Sequence, residues 1–281
     1  MAGIDKNTVL CITGESFSDS SYNNIKLNVI GLTEDNIEDE EIEGQAIKCI
    51  NFNTTNGYLT FNLDDSFLNE AWTIDWWEKD STTYPGLSGL FTNMVASSGN
   101  YFGIGKYTEG KRTFVNMSSS GSYFINTQPV GNDSPDIWVH RAIVFNGVDT
   151  YSMYENGKLY TTITNTKKAY NNKQTFQMGR WRTNNYALHK KIYNFRVSSS
   201  NRYDGEFTPN PDKYTEPVKN HIVIDKLLGD ANLIDISNKI KEIKEFNIHL
   251  REELCKQLIK KGVEIESGDT IQDLVDKISL I

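Results

Sequence analysis

The chain has 281 residues, of which 38% are hydrophobic and 23% charged, and its net charge is −8. This balance is typical of a soluble protein with one large domain and a small one, or with two medium ones. The negative charge argues against nucleic-acid binding, no run of 18 apolar residues predicts a membrane span, and the first residues do not resemble a secretory signal.

Short apolar or alternating runs, separated by Gly, Asn, Asp and Ser, predict about a dozen β-strands. The predicted strands are residues 9–13, 46–52, 58–63, 72–78, 89–94, 101–104, 113–117, 123–126, 138–145, 150–155, 158–164, 175–178 and 190–197. Asn146-Gly147 and Asn156-Gly157 are typical of tight hairpin turns. No helical segment interrupts the series, so we predict a mainly β, antiparallel sandwich or barrel.

One charged segment lies within this series. Residues 34–43 contain seven acidic residues and no basic one. Dense like charge is usually solvated, and the segment lacks the apolar alternation of a strand. We therefore predict a solvated loop rather than a site for a cation or a basic partner.

The sequence changes character after Pro209, Pro211 and Pro217. We expect a sandwich over residues 1–210, a linker over 211–220 and a helical module over 221–281. A heptad pattern with one Asn in its apolar seam includes Ile236, Ile240, Ile243, Asn247, Leu250 and Leu254. Both a coiled coil that joins several chains and an intramolecular helical hairpin are compatible with this pattern.

Four segments, in order, carry a resemblance to the laminin-G-like, concanavalin A-like jelly-roll domains. They are DSSYNN (19–24), GQAIKCINFNTTNGYLTF (44–61), WTIDWWEK (72–79) and IWVHRAIVFNGVDTYSMYENGKLYTTI (137–163). The resemblance implies a two-sheet jelly roll. Trp72, Trp76 and Trp138 are expected to be large anchors between the facing sheets.

A further segment, KIYNFRVSSSNRYDGEFTPNP (191–211), resembles the closing phrase of such domains in bacteriophage tail and virion proteins, with Asn210 as a departure between two prolines. Residues 250–281 resemble a helical module that ends many tail-associated proteins of phages and phage-like particles. These resemblances imply a tail fibre or baseplate receptor-binding protein that recognises a cell-surface ligand such as a glycan. They also imply other tail and baseplate proteins as partners, and a homotrimer through the helical module.

The expected location is therefore the tail of a virion or of a phage-like particle such as a bacteriocin, assembled in the bacterial cytoplasm without a signal peptide. Two alternatives stay open. The chain could be a purely structural tail or baseplate component, or it could be a carbohydrate-binding module of a bacterial surface protein.

Catalysis is not predicted. A glycosidase needs two carboxylates that flank a sugar linkage, and the nearest candidates, Asp75 and Glu78, are three residues apart and so on opposite faces of a strand. His140 is assigned a packing and hydrogen-bonding role. The histidines and cysteines show no metal-ligand spacing, so no metal or cofactor is assigned. The resemblance leaves a structural calcium ion open.

Ligand contacts are expected from loops at the rim of the sandwich. Sugar recognition combines exposed aromatic rings with amide and guanidinium groups, and residues 180–186 (RWRTNNY) have this composition. The candidate ligand-binding residues are Trp181, Tyr186, Arg180, Arg182, Asn184 and Asn185, with Tyr84 and Tyr107 in two other loops. The alternative is that Trp181 covers the edge of the core.

Overall fold

A computed structural model of the chain describes residues 4–53, 57–80, 88–93, 101–106, 113–119, 121–132, 136–168, 175–181, 188–212 and 214. The chain divides into two compact units, Met1–Glu216 and Pro217–Ile281. The helical module predicted for residues 221–281, with its heptad seam, lies outside the described residues and stays a prediction. Within the described ranges, no helix is long and apolar enough to cross a membrane.

The described residues form strands and two short 3-10 helices. The strands are β1 (Thr8–Ile12), β2 (Asn28–Ile30), β3 (Ile37–Ile42), β4 (Gln45–Asn51), β5 (Tyr58–Asn62), β6 (Trp72–Asp80), β7 (Ser88–Thr92), β8 (Tyr101–Lys106), β9 (Thr113–Ser119), β10 (Ser122–Pro129), β11 (Trp138–Phe145), β12 (Thr150–Glu155), β13 (Lys158–Thr164), β14 (Thr175–Met178) and β15 (Lys190–Ser198). The 3-10 helices are Glu34–Asn36 and Asp65–Asn69. The mainly β prediction is confirmed.

The strands form two facing antiparallel sheets. The first sheet has the order β13-β12-β11-β6-β15-β4-β3, and β1 also pairs with β15. The second sheet has the order β10-β9-β8-β7-β14-β5-β2. One large hydrophobic core includes Trp72 and Trp76 of the first sheet and Phe91 and Phe102 of the second. The predicted jelly-roll sandwich is therefore confirmed.

Strand β6 shows how the alternation positions side chains. Its even-numbered apolar residues, Trp72 and Trp76 among them, enter the core, whereas Trp77 packs on the opposite side with Ile42 and Tyr193. We call this side the outer face of the first sheet. Trp138 packs against the same outer cluster. The expectation that Trp138 lies between the sheets is therefore wrong. The reason is that β11 directs odd-numbered residues such as Ile143 into the core.

Most of the acidic run is ordered structure rather than the predicted loop, since Glu34–Asn36 is a 3-10 helix and Ile37–Ile42 is strand β3. Strand β3 pairs along its whole length with β4 at the edge of the first sheet. Lysines from neighbouring strands offset its charge: Lys48 Nζ lies 2.9 Å from Asp39, Lys79 Nζ lies 3.2 Å from Glu40, and Lys191 also pairs with Glu40. Charged side chains also protect an edge strand from pairing with other chains.

Residues 201–212, which we call the strap, follow β15 without regular structure. Tyr203 and Phe207 stack with ring centroids 3.7 Å apart and pack with Val144 and Tyr154 on the outer face. Farther along, Tyr214 is buried, although it lies in the range predicted as a linker. The strap therefore covers part of the outer face of the first sheet.

Candidate functional site

A cluster of buried charges lies between the two sheets and joins residues of β6, β8, β11 and β15. Glu78 and Asp80 lie two residues apart on β6, and their carboxylates are 2.8 and 2.7 Å from the Lys190 ammonium group. The Arg141 Nε donates to Glu78 at 3.1 Å, and Lys106 from the second sheet pairs with Asp80. The pairing of Glu78 with Asp80 was not predicted from the sequence, where the nearest carboxylate considered for Glu78 was Asp75.

The charges of this inner cluster are paired with one another, an arrangement that does not favour acid–base chemistry on a bound substrate. Burial alone would raise the pKa of Glu78, but the charges of Lys190 and Arg141 outweigh burial and hold that pKa well below its usual range. A glycosidase needs one carboxyl group with a raised pKa and space for a sugar between the two acids. Glu78 and Asp80 are instead buried and bound to cations of the chain.

Asp75 points to the outer face and forms a second buried group of charges. The Arg196 guanidinium donates to both Asp75 oxygens at 3.0 to 3.2 Å, and the Tyr214 hydroxyl donates to Oδ1 at 2.6 Å. The His140 Nε2 lies 3.9 Å from the same oxygen. Asp75 and Glu78 thus lie on opposite faces of β6, as predicted, and His140 is buried.

A pocket opens on the outer face, between the β3–β4 turn, the β12–β13 turn and the strap. We call it the outer-face pocket, and its volume is about 480 Å³, within the range usual for small-molecule sites. Its lining residues are Glu43, Trp77, Asn156, Lys158, Glu206, Phe207, Thr208 and Pro209. The middle strand of the sheet supplies Trp77, and the two hairpins and the strap supply the walls.

Polar groups of the outer-face pocket are left unpaired. The Trp77 Nε1 is buried and has no hydrogen-bond acceptor among the described residues. In the same part of the chain, the exposed Glu43, Lys158 and Glu206 form no ion pair. The indole nitrogen is covered, so the exposed side chains, rather than this N–H, are the groups of the pocket that a ligand can reach.

The Asn156 amide is oriented by the backbone of β11. Its Oδ1 accepts from the His140 backbone N–H at 2.9 Å, and the Asn156 N–H donates to the His140 carbonyl at the same distance. Asn156 has a φ of 49°, in the left-handed region that Asn tolerates at a hairpin turn. The turn predicted from Asn156-Gly157 therefore fixes one wall of the pocket and leaves the amide NH2 group available.

A second pocket, of about 350 Å³, lies at the end of the sandwich and is less suited to a ligand. Its lining includes Glu40, Lys79, Asp80, Lys190 and Lys191. Each of these charged side chains already forms an ion pair within the sandwich. A ligand there would have to displace existing ion pairs, which the outer-face pocket does not require.

Two of the eight predicted ligand-binding residues are described. Arg180 is partly exposed, and its guanidinium lies 4.7 Å from the centroid of the Tyr58 ring. Trp181 is only 3% exposed and packs with Tyr101 and Phe114. The expected exposed face of Trp181 is therefore wrong, and the alternative that it covers the core edge fits the structure. The remaining candidates, Tyr84, Tyr107, Arg182, Asn184, Asn185 and Tyr186, lie outside the described residues.

The outer-face pocket was not identified from the sequence, because its parts come from distant segments. Two signals were present: the alternation of β6 placed Trp77 opposite the core, and Asn156-Gly157 marked a turn. Glu43 belongs to the acidic run, Phe207 to the closing phrase, and Pro209 both to that phrase and to the prolines that precede the predicted linker. Nothing in the local patterns places these residues around one pocket.

Asp19, in the early turn of the jelly roll, has a structural role. Its Oδ1 accepts from the backbone N–H groups of Cys11 and Ser21 at 2.9 and 2.8 Å, and its Oδ2 accepts from the Ile25 N–H at 2.8 Å. These hydrogen bonds close the turn. Among the residues that the structure describes, no group of three His, Cys, Asp or Glu could hold a metal ion.

Solved structures with a similar fold include several toxin binding domains. The chain matches the binding domain of botulinum neurotoxin serotype D with 15% identity and a TM-score of 0.53, over 70% of this chain and 49% of that one. It matches the binding domain of Paraclostridial Mosquitocidal Protein 1 with 19% identity and a TM-score of 0.52, over 69% and 49%. The binding domain of botulinum neurotoxin DC in complex with SialylT has 16% identity and a TM-score of 0.50, over 70% and 48%.

These identities are low, so the likeness concerns the fold, and the chain spans about half the length of each matched structure. No curated protein matches the sequence. A family model, described as the concanavalin A-like lectin/glucanases superfamily (Laminin_G_3), matches residues 53–206, more than half of the chain. The chain belongs to the concanavalin A-like lectin/glucanases superfamily.

Proposed function

We propose that the chain is the receptor-binding protein of a phage or phage-like particle tail, in the fibre or baseplate, and that its sandwich binds a cell-surface glycan without catalysis. The observation that carries the proposal is the outer-face pocket, in which exposed carboxylate, ammonium and amide groups lie beside the partly exposed rings of Phe207 and Pro209. This combination meets the hydrogen-bonding and stacking needs of a sugar.

The surroundings of the pocket support binding in preference to catalysis. Its floor belongs to a central strand and its walls to two hairpins, so the polar groups are held on a rigid frame. Among the described residues, the acids that line it are Glu43 and Glu206, and both are exposed, whereas the closely spaced Glu78 and Asp80 are buried in ion pairs. Receptor-binding domains of toxins have the same type of fold, which is compatible with this function.

The test of the pocket uses the full-length protein, an array of bacterial surface glycans and a panel of bacterial strains. Thr208→Arg introduces a long charged side chain into the pocket from an exposed position. Thr162→Arg makes the same change at an exposed position of β13 outside the pocket and is the matched control. We expect Thr208→Arg to abolish binding and Thr162→Arg to retain it. Equal binding by both variants would exclude the pocket.

The tail location rests on the sequence of residues 191–211 and 250–281, which resembles phage tail proteins. We expect an antibody against the chain to label the tail tip or baseplate of particles from the producing bacterium in electron micrographs. If the antibody labels the bacterial envelope instead, the chain is a surface carbohydrate-binding module. Labelled tails with no glycan or cell binding by the protein would make it a purely structural tail component.

A further inference from the structure

The buried charge cluster between the sheets contains an amine and a carboxylate in direct contact. The Lys106 Nζ, on β8, donates to Asp80 Oδ2, on β6, and the two side chains are only 1% and 4% exposed. The pair joins the two facing sheets, since β6 belongs to the first sheet and β8 to the second. An ammonium and a carboxylate held together away from solvent are the two components of an amide bond.

A second lysine approaches the other oxygen of the Asp80 carboxylate. The Lys190 Nζ lies 2.7 Å from Asp80 Oδ1, although not at the angle of a hydrogen bond, and 2.8 Å from Glu78 Oε2. It also donates to the Thr113 hydroxyl at 2.8 Å. Because Lys190 is fixed by these contacts, its positive charge favours negative charge on Asp80 Oδ1 without any rearrangement of the site.

The surroundings of Lys106 favour its neutral amine form. Burial and the positive charge of Lys190 lower the pKa of Lys106, and together they outweigh the opposite effect of the Asp80 and Glu78 carboxylates. The neutral amine is the form of lysine that attacks a carbonyl carbon. Lys190 lies between two carboxylates, whereas Lys106 directly contacts the carboxylate that it can attack. These contacts distinguish Lys106 as the nucleophile from Lys190 as the neighbouring charge.

We propose that Lys106 and Asp80 condense to an amide bond, so that the folded chain cross-links its own two sheets. The Lys106 ammonium gives a proton to Asp80 Oδ2, and the amine nitrogen then attacks the Asp80 Cγ. The bond from Cγ to Oδ2 breaks, and Oδ2 leaves as water with that proton and a second one from the nitrogen. Oδ1, beside Lys190, carries the negative charge of the tetrahedral intermediate and becomes the amide carbonyl oxygen. The step consumes no other reactant.

The electrostatics of the cluster favour the amide over the ion pair. The condensation replaces two buried charges by one neutral group and so removes the desolvation cost of both. It removes one positive and one negative charge, so the charge balance of the cluster is unchanged, and Lys190 keeps Glu78 as its partner. Burial of the site also keeps water from hydrolysing the bond. The cross-link goes beyond the proposed function and does not depend on it.

Mass spectrometry of the full-length protein tests the cross-link. We expect the natural protein to be lighter than its sequence by one water molecule, and a digest of the denatured protein to contain a branched peptide that joins Lys106 to Asp80. Lys106→Arg keeps a positive charge beside Asp80 but has no nucleophilic amine, so it should have the full mass of its sequence. Lys48→Arg is the matched control, because Lys48 forms an exposed ion pair with Asp39, and it should lose water like the natural protein.

The natural protein alone decides the proposal, so the test does not depend on the folding of a variant. Full mass and no branched peptide in the natural protein would overturn the cross-link. Water loss that persists in Lys106→Arg would also overturn it, because other groups would then be responsible. Lys190→Gln removes the charge beside Oδ1, and a smaller fraction of its chains should carry the bond. The same fraction as in the natural protein would contradict the role of Lys190.

Discussion

The indole of Trp181 lies directly over Gly103 of β8, where a Cβ atom would approach its Cη2 to 2.7 Å. Gly105, two residues along the same strand, faces the same ring, with a Cβ distance of 3.2 Å to Cε3. The two glycines therefore leave the space that the indole occupies. Trp181 is an edge of the core rather than a platform for a ligand.

Replacing Trp181 by Ala should lower the free energy of unfolding by about 3–5 kcal/mol, because a large buried side chain leaves a cavity. The measurement is denaturant unfolding. The control is Arg180→Ala, because Arg180 is adjacent to Trp181 and its side chain is partly exposed. The control should change stability by less than about 1 kcal/mol. A Trp181→Ala variant that keeps its stability but loses cell binding would restore Trp181 as a ligand-binding residue.

The Asp75–Arg196 pair on the outer face should be essential for stability. Asp75→Ala leaves the Arg196 guanidinium buried without its counter-charge, and we expect a loss of about 3–5 kcal/mol in the free energy of unfolding. The double variant Asp75→Ala/Arg196→Met removes both charges. Its loss in the free energy of unfolding should be smaller than the sum of the losses in the two single variants, Asp75→Ala and Arg196→Met. Additive losses in this double-mutant cycle would show that the two side chains do not stabilise each other.

His140 should make the sandwich less stable in mild acid. Burial lowers the pKa of His140 to about 4, despite the attraction of the Asp75 carboxylate. Between about pH 6.5 and 4 the unfolded chain therefore takes up a proton that the folded chain does not. Stability should fall by about 3 kcal/mol as the pH drops through this window, at about 1.4 kcal/mol per pH unit.

The measurement is the free energy of unfolding as a function of pH for the natural protein and for His140→Gln. Between about pH 6.5 and 4, the slope of the unfolding free energy against pH should be smaller in the variant. The difference should correspond to the uptake of about one proton fewer on unfolding. Glu78 acts mainly at lower pH, since its lowered pKa contributes stability that is lost as the pH falls from about 4.5, the usual value for Glu, toward the lowered value. This contribution is the same in both proteins, so the difference between their slopes reports on His140. An unchanged slope in His140→Gln would show that His140 is protonated in the folded protein.

The protein should release no sugar from cell-wall or capsular polysaccharide. Glu78 and Asp80 bind cations of the chain between the sheets, and Asp75 binds Arg196 on the other face. Reducing-end assays with the natural protein check this expectation, and Glu78→Gln serves as the control. Sugar release that disappears in Glu78→Gln or Asp75→Asn would establish a glycosidase.

The resemblance to tail proteins predicts a homotrimer through the C-terminal heptad, in which one Asn in the seam would specify register and the number of chains. Light scattering should give three times the chain mass for the full-length protein and a monomer mass for a version that ends at Pro217. Equal, monomeric masses for both would favour the intramolecular helical hairpin.

Local patterns in the sequence determined most of the strands and the tight hairpin turns, although not β2 and β3. Alternating apolar residues set which side of β6 enters the core, and Asn-Gly pairs set the turns, because both depend on neighbouring residues alone. The same patterns predicted the opposite orientations of Asp75 and Glu78. The family resemblance rested on these local features in their order along the chain.

Contacts between distant segments decided the structure of the acidic run, the burial of Trp181 and the composition of the outer-face pocket. The acidic residues of β3 form a strand because lysines from β4, β6 and β15 offset their charge, and Trp181 is buried because two glycines of another strand make room for its ring. The outer-face pocket joins the β3–β4 turn, β6, the β12–β13 turn and the strap. Burial and charge at each of these positions depend on partners far away in the chain, so only the tertiary structure could place them.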